Sequence, residues 1–163
     1  MKIIPLTKGK LAIVDAEDYE RIKIYKWSYH GGKHGYAARG THIEGKIRIV
    51  KLHHEIIGRP PKGYEVDHIN GNRLDNRRRN LRIVTHQQNT FNASKRHVVI
   101  PGVNPSQYKG VTWRNDRCKW VGRITINGRR FYLGLFPSER EAALAYNQAV
   151  IKYYGEFANL NEL

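Results

Sequence analysis

Asp67 and His68 stand side by side and are followed at once by Asn70 and Gly71. A carboxylate is a hard oxygen ligand of the kind Mg²⁺ takes, and an imidazole with an ordinary pKa of about 6.5 can accept a proton near neutrality. Neighbours in a strand point to opposite faces, so these two can serve one site only where the strand ends and twists, which an Asn-Gly turn permits. His86 lies downstream, and His53 and His54 lie upstream. A histidine pair leading into Ile56 and Ile57 reads as packing or as a phosphate contact. The lone Cys118 excludes a disulfide within the chain and any zinc site built on cysteines, which points to a reducing compartment.

The elements that must position these residues are short. Residues 65–68 and 81–84 read as two strands flanking a polar connection, and Thr85 can cap a helix through His86 and Asn89. Upstream, strand-like runs at 11–15, 26–30, 35–40 and 46–53 surround a possible helix at 15–25, giving a small β-rich platform in which Trp27, Tyr29, Tyr36 and Ile49 are expected in the core. Downstream, runs at 110–114, 119–125 and 129–135 are joined by turns at Asn115-Asp116 and Asn127-Gly128, the latter a strong hairpin signal. Ser138-Glu139-Arg140-Glu141 matches a capping box, so a helix is expected there, with Ala142, Ala145, Tyr146, Ala149, Val150 and Tyr153 as its apolar positions and Gly155 at its end.

The chain has 163 residues and 29 Lys and Arg against 14 Asp and Glu, a formal charge of +15. The excess is spread along the whole chain, which favours contact with polyanions, because each phosphate neutralised by Lys or Arg releases counterions. No apolar run approaches the roughly 18 residues of a membrane span, and the N-terminus lacks a secretory apolar stretch, so a cytoplasmic protein is expected, in a bacterial or phage-infected host cell. Pro101, Gly102 and Pro105 interrupt the pattern over 92–107. The expected division is therefore 1–50, 51–93, a linker at 94–107, and 108–163.

The VDHINGN, DN, RNLR and final Asn elements within residues 51–92 resemble the HNH nuclease family, in particular its phage and intron-encoded homing branch. The resemblance implies a ββα-metal fold in which Asp67 binds Mg²⁺ or Mn²⁺, His68 activates water, Asn80 braces the loop and Asn89 completes the metal site. Asn89 stands where many members have His, and His86 on the same helical face is a rival ligand. Beside such a site the run Arg77-Arg78-Arg79, ordinarily a solvated face, is expected to clamp the nucleic-acid backbone.

Residues 108–160, with YKGV, KWVGRI, RRFYLGLF, EREAALAYNQA and GEFANLN, look like the plant ethylene-response-factor (APETALA-type) DNA-binding domain. The resemblance implies a three-stranded sheet that enters the major groove. Period-2 alternation puts Trp120, Gly122 and Ile124 on one face and Lys119, Val121, Arg123 and Thr125 on the other. In the last strand it puts Phe131, Leu133 and Leu135 inward and Arg130 and Tyr132 outward. Arg114 and Arg123 are the candidates for base edges, with Lys119, Arg130 and Tyr132 holding phosphates or packing on sugar. Thr112 and Arg123 depart from the plant pattern, so its base preference does not transfer. Residues 1–50 resemble the leader segment ahead of phage HNH nucleases, where Lys33, Arg39 and Lys46 could extend the footprint.

Together these readings give an α+β chain with a β-rich platform, a ββα-metal module and a three-stranded antiparallel sheet packed on one helix. The expected function is a divalent-metal-dependent endonuclease of the homing type acting on double-stranded DNA, without a membrane or an obligate protein partner. Two alternatives remain open: a noncatalytic DNA-binding regulator with a decayed nuclease module, and a basic RNA-binding structural protein.

Overall fold

The computed structural model describes residues 1–32, 35–92 and 106–163, which form two compact units, Met1–His86 and Gln87–Leu163. The expected linker lies outside the described residues except for its last two positions, and Lys33 lies outside them as well.

The first unit opens with strand β1 (Lys2–Pro5) antiparallel to β2 (Leu11–Val14). Helix α1 (Ala16–Lys23) follows Asp15 at its N-cap, with Glu17 and Asp18 in the first turn, where the helix dipole favours negative charge. Strands β3 (Ser28–His30), β4 (Tyr36–Ile43) and β5 (Lys46–Lys51) form an antiparallel sheet in that order. Helix α2 (Leu52–Ile57) starts directly after β5. Then β6 (Tyr64–His68) pairs antiparallel with β7 (Leu81–Thr85), and α3 (His86–Asn92) follows. The division between the two units falls at the first residue of α3.

One core serves this whole unit: Ile4, Ala12, Val14, Ile22, Trp27 and Ala37 pack with Leu52 and Ile56 of α2 and Leu81 of β7. Each large apolar side chain buried here contributes about 1.5–3 kcal/mol, so the platform and the β6–β7 hairpin stabilise each other and the expected boundary at 50/51 falls inside a shared core. The backbone reinforces the bond between them, since Ile13 N–H donates to Leu74 O and Asn76 N–H donates to Ile13 O, both at 2.8 Å. Trp27 is buried and donates Nε1–H to Ile22 O at 3.0 Å. Ile49, expected in the core, is instead 48% exposed. It pairs with Gly40 across β4–β5, in a stretch where strand residues 46–49 are all exposed.

The second unit is a three-stranded antiparallel sheet of β8 (Val111–Arg114), β9 (Lys119–Ile126) and β10 (Arg129–Phe136), in the order β10-β9-β8, packed on helix α4 (Glu139–Tyr154). The chain is thus α+β. Asn127 and Gly128 both take positive φ in the β9–β10 turn, as an Asn-Gly hairpin requires. Ser138 Oγ accepts from Glu141 N–H at 3.2 Å and caps α4. The buried face of α4 carries Ala142, Ala143, Tyr146, Ala149, Val150 and Tyr154, so the inward aromatic at its end is Tyr154 rather than the expected Tyr153, which is exposed. Tyr154 stacks on Phe91 at 3.7 Å and donates its hydroxyl to Thr125 O at 2.6 Å, bonds unavailable one position earlier. Gly110 takes φ 77, and any Cβ there would overlap the Tyr146 ring, so the entry to β8 requires glycine.

Candidate active site

Strand β6 delivers Asp67 and His68 to its C-terminal end, where both are buried, at 5% and 6% exposure. The strand stops there because Gly71, at φ 71, turns the chain and donates its N–H to His68 O at 2.8 Å. Across the ladder Asp67 faces Arg82 and His68 faces Leu81. The Arg82 Nε–H donates to Asp67 Oδ2 at 2.9 Å, which compensates a carboxylate that burial alone would penalise.

The connection between the two strands is organised by its own amides. Asn80, 6% exposed, accepts from Asn70 N–H through Oδ1 at 3.0 Å and donates from Nδ2 to Asp75 O at 2.7 Å. Asp75 in turn accepts from Asn70 Nδ2 and from both Nε and Nη2 of Arg77, at 2.6 to 2.9 Å. These bonds hold the Asp75 carboxyl below the ordinary carboxylate range, the Arg77 guanidinium being the largest cause.

His68 sits in a nest of rings and amides. Its Nε2 lies 3.4 Å from Asn76 Oδ1, and its ring meets the His53 ring edge-on, with centroids 5.2 Å apart. His53 also meets His54 at 4.6 Å. Burial pushes all three imidazoles below their ordinary range, His53 to about 3. For His68 the Asn76 contact and the Asp67 charge oppose that push, while the Arg73 charge adds to it. A neutral imidazole beside a carboxylate is the state a general base needs before it takes a proton.

The three arginines of the basic run go to different surroundings. Arg77 is tied to Asp75. Arg78 reaches back to the platform, donating to Asp18 from Nε and Nη2 at 2.8 Å and lying 3.0 Å from Glu17. Its backbone N–H donates to Asp15 at 2.8 Å. Asp15, Glu17 and Asp18 stand close enough to share a cation, and the Arg78 and Arg21 guanidinium groups supply that positive charge. Arg79 is exposed and has no partner among the described residues. His86, the rival ligand, is largely exposed and shares a 2.9 Å contact with Glu65 through Nδ1. Asn89 falls in the second unit. Arg39 is paired with Glu55 at 3.1 Å and stacked on Tyr25 at 3.8 Å, so it serves the platform, whereas Lys46 is exposed.

On the C-terminal sheet the register brings Arg114, Lys119, Arg123, Arg130 and Tyr132 to the same face. The pairs are Arg114 with Lys119, Arg123 with Tyr132, and Thr125 with Arg130. Arg114 is held in a two-pronged bond by Asp116 at 2.7 Å. Lys119, Arg123 and Arg130 have no carboxylate partner among the described residues. A bulge between Tyr132 and Gly134 shifts the register, so Leu135 pairs with Val121 and turns to this outer face, where the alternation placed it inward. Phe131 keeps its register opposite Ile124 but is 47% exposed.

A family model described as HNH endonuclease matches residues 50–91, and one described as AP2 domain matches residues 106–156. An uncharacterized HNH endonuclease of Acanthamoeba polyphaga mimivirus is 32% identical over 158 residues, covering 96% of this chain and 77% of that protein. The chain belongs to the HNH endonuclease family. This HNH endonuclease is also 37% identical over 83 residues to Protein 3.8 of Escherichia phage T7, across 51% of its own length and 64% of the phage protein. Its C-terminal domain is 39% identical over 61 residues to APETALA2-like protein 2 of rice, of which the chain covers 14%. No solved structure matches. A nuclease module and an AP2 DNA-binding domain are therefore joined in one chain, and among the described residues no helix is long and apolar enough to cross a membrane.

The DN and RNLR motif elements contain Asn76 and Arg82 without assigning either a role, and neither Arg73 nor the contact of His53 with His68 is marked in the sequence. Arg82 was accessible from the cross-strand register, since a residue opposite Asp67 on β7 has to meet it. Asn76 was not, because its approach to His68 depends on the tertiary bond to Ile13.

Proposed function

We propose that this HNH endonuclease is a divalent-metal-dependent enzyme that hydrolyses phosphodiester bonds in double-stranded DNA, with the C-terminal sheet reading the major groove. The observation that carries the reading is the buried Asp67-His68 pair at the end of β6, with the carboxylate charge felt at the ring. The Asp67 carboxylate is a donor that suits a hard cation, and the family resemblance would add the amide oxygen of Asn89, with Mg²⁺ or Mn²⁺ as the candidate ions. When bound, such an ion supplies charge stabilisation at the phosphate and the leaving oxygen.

The chain's own groups do the rest. His68 takes a proton from a water whose oxygen forms the new bond to phosphorus while the bond to the leaving sugar oxygen breaks. That oxygen then takes a proton from solvent. Asn80 holds the loop that follows the base, and Arg82 aims the Asp67 carboxylate through its Nε–H. Arg79 and Arg73, both exposed, meet the DNA backbone in this reading. On the sheet, Lys119, Arg123 and Arg130 are available for phosphate and base contacts, with Tyr132 packing on sugar. Arg114 engages DNA by exchanging Asp116 for a base edge. Arg77 and Arg78, committed to Asp75 and Asp18, act in folding rather than as clamps.

The phage relative and a lone exposed Cys118, which needs no oxidising compartment, support action in the cytoplasm of a bacterial or phage-infected host cell. Incubation with supercoiled plasmid and Mg²⁺, beside a chelated control, tests the proposal. Conversion to open circle or linear DNA only with the ion supports it, and retention of the supercoiled form with tight binding supports a noncatalytic regulator instead.

A further inference from the structure

Helix α3 closes the stretch matched as HNH endonuclease, residues 50–91, yet from Gln87 onward it belongs to the same compact unit as the AP2 domain. It has seven residues, none of them buried, and isolated helices shorter than about 12–15 residues are marginal in water. Its support comes from the rest of the second unit, at three points. Near its start the Gln87 side-chain amide donates to Asn127 Oδ1 in the β9–β10 turn. The Phe91 ring lies flat on Tyr154, with centroids 3.7 Å apart and planes 3° from parallel, and packs against the cluster of Ile124, Tyr146, Ala149 and Val150. At the end of the helix Phe91 O accepts from Lys109 Nζ at 2.9 Å, and Asn92 O accepts from Asn159 Nδ2 at 2.7 Å. The last carbonyls of a helix have no partner within it and form the negative end of its dipole, so an ammonium group there answers both needs. Asn161 fixes where that lysine starts, accepting from Lys109 N–H at 2.6 Å and donating to Lys109 O at 3.1 Å. Burial pushes the Lys109 amine below its ordinary range, a cost that the bond to Phe91 O offsets.

We propose that Lys109, Tyr154 and Asn159 are positioning residues of the nuclease: they keep α3 folded through Phe91 and the last two carbonyls, and so present the Asn89 amide on a formed helix for the divalent ion. The DNA-binding domain is then a structural part of the nuclease module as well as a reader of DNA. The inference rests on the nuclease reading for the role of Asn89, yet it can fail separately from it, because the fastening of α3 is measurable without metal or turnover.

The experiment uses the full chain. Amide-resolved hydrogen–deuterium exchange on metal-free protein reports the protection of α3, with α4 as the internal reference. Cleavage of a duplex against Mg²⁺ concentration reports the ion requirement, and binding of the same duplex in chelator reports affinity. Four forms are compared: wild type; Phe91→Ala, which loses the stacked ring; Lys109→Met, which keeps the apolar stem without the donor; and Phe91→Tyr, which keeps the ring. The expected result is α3 exchange about tenfold or more faster in Phe91→Ala and Lys109→Met, the size of one lost charge-assisted bond or aromatic contact, with α4 as protected as before. The Mg²⁺ concentration for half-maximal cleavage should rise in the same two variants at unchanged duplex affinity, and Phe91→Tyr should recover most of both effects. Unchanged α3 exchange in Phe91→Ala and Lys109→Met overturns the proposal, as does equal loosening of α4, which a general packing role would produce. Loosened α3 with an unchanged Mg²⁺ requirement also overturns it, and so does weaker duplex binding by Lys109→Met with α3 still protected, which would give that lysine to DNA. If α3 responds as expected but the wild type cuts no DNA, the nuclease reading falls while the fastening of the helix stands.

Discussion

Acidification should destabilise the first unit through His53, and the size of the effect follows from its burial. The unfolded chain takes up a proton on this ring near pH 6.5, whereas the folded ring resists until about pH 3. Between those values the unfolded state binds more protons, so stability is present above the unfolded pKa and is lost as the pH falls. At pH 5 the two states differ about 33-fold in proton-binding polynomial, which amounts to about 2 kcal/mol from this one residue. Asp18 and Asp75, whose folded pKa values are lowered by their arginine partners, remain ionised there and add nothing until the pH falls further. His54 and His68, also lowered, add to the loss in the same direction. His53→Phe keeps an aromatic ring against His68 and Tyr36 and removes a buried nitrogen that has no partner, so it should fold at neutral pH and lose about 2 kcal/mol less than the wild type between pH 7.5 and pH 5. Urea unfolding at the two pH values, followed by tryptophan fluorescence from Trp27, measures both. An identical pH dependence in the two proteins would refute the burial argument.

Arg78→Ala should lower the stability of the first unit by about 1–2 kcal/mol, since it strips charge-assisted bonds from the buried Asp18 while Arg21 remains. Its DNA affinity and salt dependence should not change, and a flatter salt slope would restore the clamp. Arg130→Ala and Lys119→Ala should each reduce the slope of log K against log salt by about 0.9, whereas Arg123→Ala should cost about 1–3 kcal/mol of discrimination between sites, both read by titration of a selected duplex. Asp67→Ala and Asn89→Ala should raise the Mg²⁺ concentration required for cleavage. If His86→Ala does so and Asn89→Ala does not, the ligand role moves to His86.

Local signals carried much of this molecule. The Asn127-Gly128 hairpin, the Ser138 cap and the alternation along β9 are set within a few residues, and each stands in the structure where sequence put it. Departures arose where distant contacts decide. Leu135 turned outward because one extra residue at the bulge reverses every side chain after it. The ion pairs of Arg78 join residues 60 positions apart, and no run of arginines reveals which carboxylates will meet it. The shared core of residues 1–86 was likewise hidden, because the apolar positions of β1, β2 and α2 look like parts of separate small modules until they are packed. At the site, Asp67, His68 and Asn80 were nameable from their motif, whereas Asn76 and His53 acquire meaning only from burial around His68.

The central claim is that His68 performs chemistry rather than holding DNA. Single-turnover cleavage and equilibrium binding of the same duplex, measured side by side for the wild type and His68→Ala in Mg²⁺, test it most directly. The account predicts a loss of about 10²–10⁴-fold in cleavage rate with affinity within about twofold, because a general base is removed and no major phosphate contact goes with it. Cleavage by His68→Ala at the wild-type rate, or a loss of cleavage matched by an equal loss of binding, would contradict it.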